Sequence, residues 1–400
     1  MSDPVFLTAE ESNKRLSRIN FVTSIEDFLT LLASLKLLHM LTGSALVAGY
    51  VIPIRSLGLA IGSMIFPRLI SNRGIQKVLA YSELISGIFS VIVIASIFLG
   101  APAWWFLLLF GLQAISKQQF TLGRDTYSKL LGTAESHRSL TAQIVGGLYG
   151  AAFIGSILGY GVLQFAHPGW LFGVDALTFL ISSSLCFRMD PKVLSTMRLS
   201  ILKPLKYLKG NMPLLSIFLI RGVAVWIPIG VFNYLLYTLT EERFHIDISA
   251  NGWTYVATAA GSVLSSMILG PRLRMFAKHH DAMLAAGGSL LIGLTRFGLL
   301  QVPSFAALIA VIFVAGIFNG SNMIASQTLL RRIASESEFP EVSALEQILG
   351  KLSDFLAATG SAFLVGGGYM TYSTGIVVSA VSFGLVAVLY VVAPLRREVH

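Results

Sequence analysis

Charged side chains occur at regular spacing within long apolar segments of this 400-residue sequence. In the first such segment, a polar stripe at spacing i, i+4, i+7 and i+11 consists of Thr23, Asp27, Thr30 and Ser34. This spacing places them on one face of a helix, about 100° from the adjacent Glu26. A charge in the bilayer centre is costly and usually faces a cavity or a charged partner. The stripe therefore predicts that Asp27 lines a polar cavity.

Three further apolar segments carry a polar stripe at helical spacing. They consist of Gln113, Lys117, Phe120 and Arg124, of Asn319, Asn322 and Ser326, and of Ser343, Gln347, Lys351 and Asp354. Four helices with one polar face each predict a shared aqueous cavity in which these side chains bind a substrate. The alternative is that the polar groups only hydrogen-bond one helix to the next, above all Asn319 and Asn322.

Asp27 and Arg55 both fall near the middle of the membrane, at about 1.5 Å of helical rise per residue. Burial disfavours the ionised form of a carboxylate, whereas a nearby cation favours it. A carboxylate balanced between these effects can bind a proton in one conformation and release it in the other. Asp27, with Glu26 as the second candidate, is therefore predicted to couple transport to protons. The alternative is a permanent Asp27–Arg55 salt bridge that braces two helices.

Basic side chains exceed acidic ones near the predicted midplane. Lys351 and Asp354 stand at i and i+3, where they can neutralise each other. Three basic residues then remain near the midplane, namely Arg55, Lys117 and Arg221. The acidic residue that remains is Asp27, together with Glu26 if Glu26 faces the cavity. Because the planar guanidinium group matches carboxylates and phosphates, the excess predicts a small organic substrate that is anionic or bears a carboxylate.

Composition identifies the elements that must position these residues. The chain is 54% hydrophobic and 12% charged, whereas soluble proteins contain about a quarter charged residues. Twelve helices of about 22 residues would occupy about 264 positions and leave no room for a soluble domain. The single Cys186 excludes a disulfide framework and a cysteine-based metal site. No phosphate-binding loop or catalytic triad is apparent, so neither an enzyme nor a cofactor is predicted.

The distribution of basic residues predicts the orientation. Twelve spans are predicted at 18–41, 45–67, 78–99, 104–127, 139–165, 169–188, 213–240, 250–271, 282–301, 304–330, 343–366 and 371–394. Lys and Arg cluster in every second connection, which is the positive-inside pattern. Both termini and the central loop are therefore predicted to be cytoplasmic, in a bacterial-type inner membrane, and the polar start of the chain predicts no cleavable signal peptide. The net charge of +9 then reflects orientation rather than nucleic-acid binding.

Two motifs recur 204 positions further along the chain. A Ser-Met-Ile motif precedes both Pro67 and Pro271, and a Ser-xxx-Gln-Ile-x-Gly motif begins at both Ser139 and Ser343. Parallel repeats of this kind are typical of transporters built from two halves. The sequence predicts a six-helix bundle at 1–188, a basic cytoplasmic linker at 189–212 and a second six-helix bundle at 213–400.

These features resemble the major facilitator superfamily, most closely its drug- and siderophore-exporter branch with the macrolide and enterobactin exporters. The matching residues are Thr42-Gly43-Ser44-Ala45, Arg55, Glu83, Asp125, Gly169-Trp170 and Asp175-Ala176-Leu177-Thr178-Phe179. The resemblance implies an all-α fold of twelve helices, a monomer and alternating access. The chain departs from the family at Pro67 and Ser71 in the loop after span two, and at Ser156, which replaces the proline of the exporter signature.

A gate is predicted at the cytoplasmic ends of spans two to four, where ion pairs would tie helices together when the cavity faces outward. Its residues are Arg68, Arg73, Glu83, Arg124 and Asp125, with Arg272 and Glu346 as counterparts in the second half. The resembled fold places the span of Arg296 at the periphery, so Arg296 is interpreted as structural. Asp175 is interpreted in the same way.

Two functional hypotheses follow from these residues. The first is a secondary transporter, coupled to protons, that exports a siderophore-like anion by alternating access, with import as the other direction. The second is a lysolipid flippase or scramblase of the same fold, in which the basic residues meet lipid headgroups. A lipid path predicts polar residues on a lateral opening, whereas a solute path keeps them central.

Overall fold

The computed structural model describes residues 9–131, 137–189, 204–246, 251–272, 280–335 and 338–393. These ranges contain helices and no strand. The first seven helices are α1 (Ala9–Thr42), α2 (Ala45–Gly49), α3 (Val51–Arg73), α4 (Ile75–Phe98), α5 (Ala103–Leu131), α6 (His137–Phe165) and α7 (Gly169–Cys186). The others are α8 (Pro204–Gly210), α9 (Met212–Leu219), α10 (Trp226–Phe244), α11 (Gly252–Arg272), α12 (Asp281–Leu299), α13 (Phe305–Ile333), α14 (Phe339–Gly366) and α15 (Tyr372–Val392).

The long helices confirm the predicted fold class. A π-helical turn at Ile220–Ala224 joins α9 to α10, and α2 leads into α3 at Tyr50, so the described chain forms twelve long segments. Nine stretches within the described residues are apolar enough, by length and composition, to span a membrane. The segments α1 and α5 have lower hydropathy because they contain polar side chains such as Asp27 and Lys117.

Each half packs its own helices in a similar way. In the N-terminal half α1 contacts α6 and α7, α3 contacts α5, and α4 contacts α5 and α7. In the C-terminal half α11 and α12 contact α13, and α10 contacts α14 and α15. The halves meet mainly along α3 with α14 and α6 with α11, and α13 also contacts α6.

Glycine permits the closest helix contacts at equivalent places in the two halves. A Cβ atom at Gly58 in α3 would lie 2.2 Å from the carbonyl oxygen of Gly111 in α5. A Cβ atom at Gly261 in α11 would lie 2.1 Å from the carbonyl oxygen of Phe313 in α13. Small residues let membrane helices approach backbone to backbone, so these positions fix the polar faces of α5 and α13 relative to their neighbours.

The halves touch at both ends of the molecule. On the predicted cytoplasmic side, Ala344 of α14 packs into an N-terminal cluster that contains Leu16 and Phe66. On the opposite side, the ring centroids of Tyr160 and Trp253 lie 5.6 Å apart. The space between these contacts lies at the level of the polar stripes.

Several helix boundaries differ from the sequence prediction, most of all the start of α1, which lies at Ala9 rather than at 18. The helix α13 continues to Ile333, past the predicted end at 330, and this extension carries Arg331 into the interface between the halves. The helix α8 lies within the predicted linker 189–212, of which 190–203 fall outside the described residues. The division into domains at 188 and 213 remains a prediction.

Candidate functional site

A cavity of about 420 Å³ lies mainly in the C-terminal half and reaches the N-terminal half at α1 and α6. Its walls are largely apolar and aromatic, with Phe28, Phe232 and Phe383 among them. The polar lining includes Tyr149, Arg221, Arg296, Asn319, Asn322 and Glu346. A mostly apolar pocket with a few convergent polar groups is the usual form of a small-molecule site.

Arg221 enters the cavity from the π-helical turn between α9 and α10. The turn contains a bond from Val225 N to the carbonyl oxygen of Ile220, at 2.9 Å. Such turns are frequent at functional sites. Arg221 Nη1 donates a hydrogen bond to Ser326 Oγ at 2.6 Å. Its Nε lies 3.4 Å from Oε1 of Glu346, whose side chain is 1% exposed.

Arg296 also lines the cavity, although the sequence analysis interpreted it as peripheral. Its Nη1 donates to the carbonyl oxygen of Pro228 at 2.7 Å and to Ser379 Oγ. The guanidinium carbon lies 4.1 Å from the ring centroid of Phe232 and 4.4 Å from that of Phe383. No carboxylate in the described part of the chain forms an ion pair with Arg296, so this cation is held only by neutral groups.

The two predicted asparagines have different environments. Asn319 Nδ2 donates to the hydroxyl of Tyr149 in α6 at 2.7 Å, and this hydroxyl lies 3.0 Å from the sulfur of Met323. Asn319 therefore links the halves across the cavity. Asn322 Nδ2 donates to the carbonyl oxygen of Ala285 and to Ser289 Oγ, both at 2.7 Å. Asn322 therefore ties α13 to α12, as the alternative for these residues proposed.

Asp27, Arg55 and Lys117 meet in the N-terminal half and do not line the large cavity. Asp27 Oδ1 lies 2.7 Å from Lys117 Nζ and 3.2 Å from Arg55 Nη2. The Lys117 ammonium also lies 4.9 Å from the ring centroid of Phe179. Asp27 is thus the shared partner of two cations, and the structure brings Asp27, Arg55 and Lys117 together but separates them from Arg221.

Three further carboxyl groups lie deep in the N-terminal half. Asp175 is fully buried and accepts hydrogen bonds from Thr30, Ser90 and Gln113. Glu83 is fully buried as well, and its Oε2 accepts from Thr23 at 3.2 Å. Glu26 is 1% exposed, and neither of its carboxyl oxygens has a hydrogen-bond partner among the described residues.

Lys351 and Asp354 lie on α14 but outside the large cavity. The Lys351 ammonium lies 3.5 Å from the ring centroid of Trp226. Asp354 is 4% exposed and accepts a hydrogen bond from Ser56 of α3, which joins the halves near the predicted midplane. These two side chains thus have separate partners instead of forming the expected ion pair.

The predicted gate is only partly assembled. Arg124 Nη2 and Asp125 Oδ1 lie 3.0 Å apart, whereas Arg68 and Arg73 are exposed and form no described ion pair. Glu83 contacts Thr23 inside its own bundle, and Glu346 contacts Arg221 in the cavity. The structure therefore corrects the pairing expected for Glu83 and Glu346, because both are buried away from the helix ends. The side chain of Arg272 lies outside the described part of the chain.

The roles of Arg331 and Arg296 were not predicted from the sequence, although a pattern of small residues on α12 points to Arg296. Arg331 was counted as a loop residue because α13 was predicted to end one residue earlier. Arg296 continues a face of α12 formed by Ser289 and Gly293, and small residues mark the faces of membrane helices that pack inward. That face, rather than the position of the span in the fold, indicated that Arg296 points into the protein.

The described residues contain no group of three or more His, Cys, Asp or Glu side chains that would hold a metal ion. No protein-family model matches the chain, and no curated protein sequence is significantly similar to it.

Solved structures of transporters share the fold. The human organic anion transporter MFSD10 (TETRAN) aligns with a TM-score of 0.70 and 14% identity, over 94% of this chain and 99% of that chain. A bacterial homologue of the iron transporter ferroportin, in an outward-facing state with soaked iron, aligns with a TM-score of 0.72 and 12% identity. This alignment covers 95% of this chain and 98% of the other. The chain therefore has the major facilitator fold of these membrane transporters.

Proposed function

We propose that this protein is a secondary transporter that moves a small organic anion by alternating access and binds it in the cavity of the C-terminal half. The observation that carries the proposal is the pair of arginines that line one apolar cavity. Glu346 lies beside Arg221, whereas Arg296 has no acidic partner among the described residues. A buried cation without a counter-ion favours an anion as ligand.

The hydrogen bonds of Arg296 support this role. Both of its bonds to protein acceptors use Nη1, which leaves the other guanidinium nitrogens for a ligand. Guanidinium groups bind carboxylates through two parallel N–H bonds. The aromatic walls around Arg296 suit the apolar part of an organic acid. A metal cation is disfavoured because it would approach two arginines.

Arg221 supplies a second binding group that a substrate must share with Glu346. The carbonyl oxygen of Pro228 accepts a hydrogen bond from Arg296. Arg221 and Pro228 are seven residues apart, or about 10 Å along a helix. A carboxylate that approaches Arg221 competes with Glu346 for the same cation. We therefore propose that the substrate displaces Glu346 from Arg221 when it binds. Asp27 does not take part in this exchange, because it holds two cations of its own outside the cavity.

The remaining features follow from the sequence. The proposed location is a bacterial-type inner membrane with both termini cytoplasmic, because basic residues lie in alternate connections. Export of a siderophore-like carboxylate by a monomer follows from the resemblance to the exporter branch. The similarity to an organic anion transporter supports the anionic substrate class.

Reconstituted liposomes provide the test. We expect purified protein to move a labelled aromatic or aliphatic carboxylate across the bilayer, and we expect unlabelled carboxylates, but not the corresponding amides, to compete. Arg296→Gln and Arg221→Gln should each reduce this transport. Arg243→Gln is the matched control, because Arg243 binds backbone carbonyl groups near the end of α12 and does not line the cavity.

The lipid-transport alternative is an outcome of the same experiment. A labelled lysolipid that crosses the bilayer, while no carboxylate moves from the aqueous phase, would replace the organic anion with a lipid substrate. Movement of neither, by protein that is folded in the liposomes, would reject the proposed transport function.

A further inference from the structure

On the N-terminal helices α1, α4 and α7, five buried oxygen atoms have no hydrogen-bond partner within the described residues. They are Glu26 Oε1 and Oε2, Glu83 Oε1, Ser86 Oγ and Ser182 Oγ. The side chains of all four residues are at most 1% exposed. Buried polar groups are normally paired, and each unpaired one needs an explanation.

Contacts between α1, α4 and α7 place these four side chains at one level along the helix axes, which is called the layer below. Thr23 of α1 contacts Glu83 of α4, and seven residues further along both helices Thr30 and Ser90 contact the same carboxyl group, that of Asp175. The two helices therefore run in register, and Glu26 and Ser86, each three residues beyond the first contact, lie at the same height.

The helix α7 closes this layer from the third side. It runs in the opposite direction, and Thr178, one turn beyond Asp175, lies beside Glu26. Ser183 of α7 donates to the carbonyl oxygen of Ala80, one turn before Glu83 on α4. Ser182, between these two contacts, is therefore level with Glu83. The unpaired hydroxyl groups and carboxyl oxygens thus lie at one level of the bundle, on the three helices α1, α4 and α7.

No cation forms an ion pair with Glu26 or Glu83 among the described residues. The two nearby cations, Arg55 and Lys117, both pair with Asp27. Asp175 accepts hydrogen bonds from the neutral side chains of Thr30, Ser90 and Gln113. Uncompensated charge inside a membrane protein is costly, and intramembrane carboxylates commonly mark ion sites.

We propose that Glu26, Glu83, Ser86 and Ser182 form a binding site for one dehydrated Na⁺ ion in the N-terminal half, separate from the organic anion site. Carboxylate and hydroxyl oxygens are the ligands that hard cations prefer. Ca²⁺ takes about six to eight oxygen ligands, more than the five unpaired oxygens of this layer. Mg²⁺ usually keeps several water molecules, for which a layer closed by three packed helices is poorly suited.

Thermal unfolding and radioactive Na⁺ binding test this site on the purified full-length protein in detergent. Tryptophan fluorescence reports the Tm at constant ionic strength, with choline, Na⁺, K⁺ or Ca²⁺ as the cation. We expect the Tm to rise with the logarithm of Na⁺ concentration above half-saturation, because a ligand that binds only the folded state stabilises it. One Na⁺ should bind per chain, and K⁺ and Ca²⁺ should have much weaker effects.

Three variants locate the effect. Glu26→Gln and Glu83→Gln should each abolish the Na⁺-dependent rise in Tm. Ser86→Ala keeps both carboxylates and should raise the half-saturating Na⁺ concentration roughly tenfold, so the test does not depend on the folding of the charge variants. Asp354→Asn is the matched control, since it removes a buried carboxylate of the other half and should leave the rise unchanged.

Protonation is the competing explanation, and Asp27, Lys117, Asp175 and the buried Cys186 are the other ionisable groups that face this layer. A Tm that rises on acidification, with no effect of Na⁺ at any pH, would overturn the Na⁺ site in favour of a shared proton. Stabilisation by Ca²⁺ but not by Na⁺ would overturn it as well. Neither result would affect carboxylate transport, which is measured separately.

Discussion

Arg331 of α13 donates a hydrogen bond from Nη1 to Thr141 Oγ1 of α6 at 3.1 Å, across the boundary between the halves. Its Nη2 lies 3.4 Å from Ser128 Oγ and 3.8 Å from Oδ1 of Asp125, which also binds Arg124. Arg331 is fully buried. Removing one partner of a buried ion pair costs about 3–5 kcal/mol, whereas an exposed pair contributes about 0–1 kcal/mol. This network therefore holds the predicted cytoplasmic side closed more strongly than pairs of exposed arginines.

Removing the Arg331 charge should open the predicted cytoplasmic side. Arg331→Met keeps much of the side-chain volume but leaves Thr141 and Asp125 without their partner from the other half. We expect faster labelling of a cavity cysteine at Ala315→Cys, in a Cys186→Ser background, by a membrane-impermeant thiol reagent applied from the cytoplasmic side. The population shift follows because the lost contacts exist only while the halves are closed.

Arg68→Gln is the matched control for this experiment. Arg68 is exposed and belongs to no described ion pair, so its substitution should leave the labelling rate unchanged. Equal rates in the Arg331→Met and wild-type proteins would show that the Arg331 network does not hold the gate.

Neutralising Glu346 should tighten anion binding. In Glu346→Gln the Arg221 guanidinium no longer has a competing carboxylate, so a substrate carboxylate binds without displacing one. We expect equilibrium binding of a fluorescent carboxylate to be tighter in Glu346→Gln than in the wild type. An unchanged dissociation constant would show that Glu346 does not compete with the substrate for Arg221.

The fold could be predicted from the sequence because membrane spans follow from simple composition. Hydropathy and alternating loop charge indicated twelve helices, and the repeat that relates Pro67 to Pro271 indicated two halves. The grouping of side chains could not be predicted in the same way. Midplane depth is similar for Arg55, Lys117 and Arg221, but depth alone does not fix the rotation of each helix about its axis.

Rotation depends on packing, which small residues control. Gly58 and Gly261 let α3 and α11 approach their neighbours backbone to backbone, and these contacts set the rotation of α5 and α13 about their axes. Lys117 consequently lies beside Asp27 in the first half, whereas Arg221 lies beside Glu346 in the second. The π-helical turn that presents Arg221 leaves no clear pattern in the local sequence.

Arg296 should contribute directly to anion affinity. Arg296→Gln removes the cation that has no carboxylate partner and retains a group that can still donate to Pro228. We expect binding of a carboxylate to weaken by about 1.5–3 kcal/mol, the usual contribution of a hydrogen bond to a charged group. Binding of the uncharged amide of the same compound should change little, which separates lost charge from damage to the cavity. An equal loss of affinity for acid and amide would indicate a structural role for Arg296.

Asp27→Asn should mainly destabilise the protein. The change leaves Arg55 and Lys117 as neighbouring cations with no carboxylate between them. We expect a loss of about 3 kcal/mol, the lower end of the range for a broken buried pair, because the Asp27 and Arg55 side chains are 28% and 24% exposed. The Tm of purified protein should therefore fall. The double variant Asp27→Asn with Lys117→Met removes one of the stranded cations and should recover part of this loss.

If Asp27 instead carries the coupling proton, Asp27→Asn should fold normally and exchange substrate but no longer follow an imposed pH gradient. That result would assign the coupling role to Asp27, as predicted from the sequence.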